Sequence, residues 1–236
     1  MAKGATKVYG QGDTEIRALD DVSIEFYDGQ FTAVMGPSGS GKSTLMHCMA
    51  GLDELTGGEV WIGETELGQL SRRELTLMRR DNVGFIFQAY NLVPTLNAKE
   101  NILLPQMLAG SDVDDAWFDE VIEKVGLADR MAHKPNELSG GQQQRVAVAR
   151  TLAARPLLIF ADEPTGNLDS RSGQEILDFM RRAVREYGQT IVMVTHDSNA
   201  AAYADRVVFL ADGKVVADVA DPSADEILEQ IRSLSS

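Results

Sequence analysis

Gly36-Pro37-Ser38-Gly39-Ser40-Gly41-Lys42-Ser43 fits the pattern G-x-x-x-x-G-K-[ST], and it stands between an apolar run, Phe31 to Met35, and a stretch with helical patterning. Strand, loop and helix in that order are the context that gives the pattern its meaning. Together they restrict the chain to an α/β fold in which the loop leaves the C-terminal end of a strand. Glycines at these positions let backbone N–H groups curl into a concave anion site, and the helix that follows adds its partial positive charge. The spacing therefore predicts a phosphate cradle made by Gly36, Ser38, Gly39 and Gly41. Lys42 reaches the β- and γ-phosphates of a nucleotide, Ser43 places its hydroxyl on Mg²⁺, and Thr44 joins the binding set.

The rest of the chain is patterned to match. Strand candidates are Val22 to Tyr27, Phe31 to Met35, Val60 to Ile62, Val83 to Phe87, Leu157 to Ala161, Thr190 to Thr195 and Arg206 to Leu210. Helices are predicted after Lys42, from Arg72 to Arg80, Ala98 to Leu108, Asp114 to Val125, after Gly141, and from Ser170 to Tyr187. This alternation points to an α/β fold with a largely parallel sheet, preceded by an N-terminal antiparallel β region. Ser71 with Glu74 has the spacing of a capping box, and Asp212-Gly213 reads as a hairpin turn. Residues 89–154 hold no convincing strand. They are expected to form a helical subdomain inserted into an α/β lobe made of 1–88 and 155–236, the whole being one domain with no internal repeat.

Composition excludes several function classes. The 236 residues carry 22 Lys+Arg against 36 Asp+Glu, a net charge of −14. A nucleic-acid binder gains most of its affinity by neutralising phosphates, so this balance argues against one, and it suits an anionic membrane surface poorly. Met1 to Gly10 lacks the apolar core of a signal peptide, and no run approaches the ~20 apolar residues that cross a bilayer. A cytosolic chain without direct membrane insertion is expected. Its one cysteine, Cys48, cannot form an internal disulfide and reads as a small buried residue.

Two further segments carry chemistry. The buried-strand run Leu157 to Ala161 ends in Asp162-Glu163, which puts adjacent carboxylates at the sheet edge where open α/β folds bind ligands. Asp162 is placed to hold Mg²⁺ with Ser43, and Glu163 to polarise an attacking water. On its own such a pair serves equally well as a helix cap or solvated turn. Leu138-Ser139-Gly140-Gly141-Gln142 opens another helix and forms a second phosphate-sized nest, although Ser139 also suits a plain N-cap. One nucleotide needs one cradle, so the second is surplus to a monomer.

These three elements together resemble the nucleotide-binding subunit of an ABC transporter, a P-loop NTPase with a RecA-like core, whose signature is the LSGGQ found at Leu138 to Gln142. The resemblance covers nearly the whole chain. It implies an active ATPase that pairs head to tail as a homodimer upon ATP binding, each ATP lying between one subunit's loop and the partner's Ser139, Gly140, Gly141 and Gln142. It further implies that Tyr9, before the first strand, stacks on adenine, and that Gln88 senses the metal and the attacking water. Asp169, in Asn167-Leu168-Asp169, would cross the dimer interface, and His196 would contact the γ-phosphate. ATP and Mg²⁺ are the implied cofactors.

Asn91 to Asn101 and Asp162 to Asp169 resemble the group that includes the lipoprotein-releasing (LolD), macrolide-exporting (MacB-like) and cell-division (FtsE-like) ATPases. That group works with FtsX-type permeases and often transmits force, so the chain is expected at the inner face of the cell membrane, held there by its permease. An FtsE-like regulatory ATPase that moves no solute, and the ATPase of an importer, are the alternatives. A DNA-repair ATPase of this type needs a coiled coil or zinc module and a basic groove, and a translation-associated one normally carries two cassettes. Residues 111–123 hold six acidic and no basic residues, and 217–236 hold five acidic and one basic. The acidity is thus concentrated away from the loop, on segments that read either as solvated faces or as docking sites for a basic permease loop.

Overall fold

The computed structural model describes residues 1–234. Its N-terminal part contains β1 (Ala2–Tyr9), β2 (Ile16–Ile24), β3 (Phe31–Met35), α1 (Lys42–Met49), β4 (Gly57–Ile62), β5 (Thr65–Glu66), α2 (Arg72–Asn82) and β6 (Val83–Phe87). Three helices follow without an intervening strand: α3 (Ala98–Ala109), α4 (Asp115–Val125) and α5 (Gly140–Ala153). The remainder is β7 (Leu158–Asp162), α6 (Ser170–Tyr187), β8 (Thr190–Val194), α7 (Ser198–Ala201), β9 (Arg206–Ala211), β10 (Lys214–Ala220) and α8 (Ala224–Leu234).

The strands form two sheets. An antiparallel sheet has the order β2-β1-β4-β5, and a six-stranded sheet has the order β10-β9-β3-β8-β7-β6. Within the larger sheet β6, β7, β8, β3 and β9 run parallel, and only β10 is antiparallel. Successive side chains of a strand face opposite sides, and the core follows that rule. Phe31, Ala33, Met35, Ile159, Met193, Val207 and Phe209 face a cluster shared with Ile102, Val121, Val146, Ile176 and Met180 of the helices. Val34, Phe160, Val192, Val194, Val208 and Leu210 face a second cluster, with Leu45 and Met46 of α1 and Leu19 and Val60 of the small sheet. The parallel sheet is thus covered on both sides, which explains why its strands are apolar along their length. Phe31, Phe160 and Phe209 are fully buried, each stabilising the fold by roughly 1.5–3 kcal/mol.

Local signals read from the chain hold in detail. Ser71 and Glu74 form a reciprocal capping box at the start of α2. Asp212 and Gly213, with φ of 48° and 74°, turn β9 into β10 as a hairpin. The first strands depart from expectation. The strand expected from Val22 to Tyr27 runs instead over Ile16–Ile24, because its partner is β1, with Tyr9 opposite Ile16 and Ala2 opposite Ile24. Tyr9 therefore closes a strand and does not precede the first one. Gly4 and two lysines, together with three register irregularities along β1, hide the alternation that would have revealed this strand. The acidic C-terminal segment also contains α8. Ser223 and Glu226 cap it through bonds of 2.8 and 3.3 Å, and Ile227 is fully buried.

Candidate functional site

The cradle is shaped by backbone pressed against backbone. Gly36, Gly39 and Gly41 have φ of 150°, 80° and 98°, in the region that favours glycine. A Cβ at Gly36 would lie 2.0 Å from the Leu210 carbonyl oxygen, and one at Gly41 would lie 2.3 Å from that of Ala18. The loop is therefore seated between β9 and β2. The Lys42 ammonium donates to the carbonyls of Gly36 at 2.9 Å and Pro37 at 2.7 Å. Burial lowers its pKa below the ordinary lysine range, and the carboxylates of Glu163 and Asp162 oppose that shift.

Sheet register supplies the other half of the site. Asp162 pairs with Val194 across β7 and β8, so the residues that follow each strand emerge side by side. The Glu163 N–H donates to the Val194 carbonyl at 2.9 Å. Its Oε1 accepts the His196 backbone N–H at 3.0 Å and lies 2.7 Å from His196 Nδ1, and Oε2 accepts the Thr195 hydroxyl at 3.3 Å. Glu163 has φ 46°, a left-handed conformation that costs a non-glycine residue about 1–2 kcal/mol and is held here by these bonds. Burial raises the Asp162 pKa and neighbouring Glu163 adds to the rise, while His47 and Lys42 oppose it.

These elements converge on a cleft of about 360 Å³ lined by Gly36, Ser38, Gly39, Gly41, Lys42, Ser43, Thr44, Asp162, Glu163 and His196. The residues present fit a magnesium nucleotide. Glycine-shaped space and a lysine meet phosphate, while one hydroxyl and one carboxylate stand beside the cradle. Among the described residues no cluster of three or more metal-ligating side chains occurs. Mg²⁺ is held through one or two carboxylates together with phosphate oxygens and water, so Asp162 with Ser43 would serve to hold it here.

The other expected residues lie outside this cleft. Gln88, one residue past β6, exchanges side-chain bonds with Asn167: its Nε2 donates to Asn167 Oδ1 at 3.1 Å, and Asn167 Nδ2 donates to the Gln88 carbonyl at 3.0 Å. Ser139 and Gln142 form a capping box on α5. Gly140 and Gly141 leave room for their neighbours, since a Cβ would meet Tyr90 Oη at 2.9 Å or Ser172 Oγ at 2.8 Å. Asp169 caps α6 through the N–H groups of Arg171 and Ser172. Tyr9 is exposed at the edge of β1 and donates its hydroxyl to Asp53 at 2.6 Å. One contributor was missed in the sequence, and another was named there without its partner. Thr195 fixes Glu163, and Asn167 fixes Gln88. Thr195 was within reach because it adjoins His196 at the end of an apolar strand.

A family model described as "ABC transporter" matches residues 19–166, more than half of the chain. The chain belongs to the ABC transporter family. As an ABC cassette it is an ATP-binding, ATP-hydrolysing subunit. It is 45% identical over 220 residues to the Methanocaldococcus jannaschii ATP-binding protein MJ0796, covering 90% of this chain and 93% of that one. A solved dimeric structure of MJ0796 in a post-hydrolysis state, bound to ADP and Pi, superposes with a TM-score of 0.83 at 42% identity, over 94% of this chain and 98% of that one. The lipoprotein-releasing ATP-binding protein LolD of Geobacter metallireducens is 44% identical over 215 residues, 90% of this chain and 96% of LolD. The macrolide export ATP-binding/permease protein MacB of Bdellovibrio bacteriovorus is 45% identical over 216 residues, 92% of this chain but 33% of MacB. This ABC chain thus corresponds to about a third of that longer protein.

Proposed function

We propose that two copies of this chain close head to tail around two ATP and drive a separate FtsX-type permease, the cassette lying at the inner face of the cell membrane. The observation that carries this reading is the position of the signature. Ser139, Gly140, Gly141 and Gln142 begin α5 outside the chain's own phosphate cleft, so they serve a nucleotide only across an interface. The dimeric MJ0796 structures are in keeping with it. So is the absence, among the described residues, of any helix long and apolar enough to cross a membrane.

In this reading Gly36, Ser38, Gly39, Gly41, Lys42, Ser43 and Thr44 hold the phosphates, and Tyr9 stacks on the base. Ser43, Asp162 and Gln88 hold Mg²⁺, which when bound neutralises charge on the β- and γ-phosphates. Glu163 accepts the proton of the attacking water and, through its contact with Nδ1, orients His196 toward the γ-phosphate. The Asn167–Gln88 pair links the segment after β7 to the segment entering the helices, so a change at the phosphate is passed to residues 89–154. Those residues act as the helical subdomain of an α/β lobe formed by 1–88 and 155–236.

Co-purification from detergent-solubilised membranes tests the assignment. Recovery of an FtsX-type permease with a large extracytoplasmic domain is expected. Recovery of an importer permease, or of no membrane protein at all, would contradict it.

A further inference from the structure

A cleft of about 540 Å³ lies apart from the phosphate cradle and shares no residue with it. It is lined by Lys124 at the end of α4, Arg145 of α5, and Glu175, Asp178, Arg181, Arg182 and Arg185 along α6. Five cations and two carboxylates therefore converge on one cleft of a chain whose net charge is −14. The carboxylates leave much of this charge unmatched. Arg145 pairs with Glu175 and donates to the Val125 carbonyl at 3.1 Å, and Lys124 reaches Glu186 at 3.4 Å. Arg181, which lines the same cleft, has a buried Nε with no hydrogen-bond partner. Arg182 lies over the Phe179 ring at 5.8 Å. Arg181 and Arg185 are four residues apart on α6, a spacing at which like charges repel.

We propose that this cleft binds a small, multiply phosphorylated molecule. Guanidinium groups present paired donors that match phosphate oxygens. A cleft of this volume lies in the size range of small-molecule sites. An anion held between Arg145 and Arg181 would join α5, which starts at Ser139, to α6, which starts just after Asp169. It would thereby tie together the two helices whose first turns are assigned to the dimer interface. The binding site itself does not depend on that assignment.

The test uses inorganic tripolyphosphate, titrated calorimetrically without Mg²⁺ into the full chain carrying Lys42→Ala to weaken the cradle. One site per chain with a dissociation constant below about 1 mM is expected, weakening as salt is raised. Adding Arg182→Glu with Arg185→Glu should weaken it at least about tenfold. The milder pair Arg182→Gln with Arg185→Gln serves if the charge reversals impair folding. Absence of binding, or binding that the α6 substitutions leave unchanged, would overturn the proposal. So would binding to phosphatidic acid vesicles without binding to tripolyphosphate, because the site would then read a lipid surface.

Discussion

Glu163 grips His196 twice, through the backbone N–H at 3.0 Å and at Nδ1 at 2.7 Å. A carboxylate at Nδ1 calls for a proton on that nitrogen, so Nε2 can donate to a phosphate oxygen only when the ring carries a second proton. The residue assigned as general base thus also sets the orientation of its neighbour. Its left-handed backbone and its bond to Thr195 fix it before any water arrives.

Glu163→Gln should retain ATP binding and lower turnover by at least about 10²-fold, the usual loss when a general base is removed. The amide still fills the space and can still meet His196, so the melting temperature should change little. Phosphate release and nucleotide binding, measured on the same preparation, check both halves of this expectation. Turnover at the wild-type rate would remove Glu163 from the role.

Ser139→Arg should abolish ATP-dependent dimerisation, as read by light scattering, while leaving nucleotide binding to the monomer intact. Its loss of the α5 cap costs about 1 kcal/mol in addition. Ser139→Thr keeps a capping hydroxyl and should still dimerise. Dimerisation of the arginine variant at wild-type ATP concentrations would contradict the head-to-tail arrangement.

Two of the loop glycines, Gly36 and Gly39, should respond differently to alanine. At Gly36 the new Cβ meets a carbonyl oxygen of β9 at 2.0 Å, so the loop must move and nucleotide affinity should fall at least about tenfold. Around Gly39 nothing lies within 4 Å, and only the left-handed φ of 80° resists the change, at about 1 kcal/mol. Nucleotide titration and thermal melts of the two variants give the comparison.

Cys48 makes stability depend on alkaline pH. Burial pushes its thiol up to about 11 from an ordinary 9, with Asp53 adding to the rise and Lys7 opposing it. The folded pKa is the higher one, so the contribution is complete below pH 9 and is lost as pH rises toward 11. Two units correspond to roughly 2–3 kcal/mol. The stability advantage of the wild type over Cys48→Ala should shrink by about that amount between pH 9 and 11 in denaturant titrations. A constant difference across that window would show that the thiol does not titrate on unfolding.

Much of the fold was legible because its parallel strands are buried on both faces. Phe31 to Met35 and Val83 to Phe87 are continuous apolar runs, and their bounds coincide with β3 and β6. The phosphate cradle was legible for a related reason: its conformation demands glycine at fixed offsets from a lysine. The small antiparallel sheet was harder to read, since one face is solvated and Gly4, Arg17, Asp20 and Asp21 interrupt its pattern. Gln88 and Asn167 could be named but not joined, because their hydrogen bonds span 79 positions. The Arg-lined cleft also escaped notice. Its cations come from three helices far apart in the sequence, and those of α4 and α6 sit among acidic neighbours there.

The central claim is that a second copy completes the site around each nucleotide. The most direct measurement is the mass and nucleotide content of Glu163→Gln after incubation with Mg²⁺ and ATP. A dimer containing two ATP per two chains, reverting to monomer when Ser139→Arg is added, is the predicted result. A monomer that has bound one ATP and stays monomeric at saturating nucleotide would contradict the account.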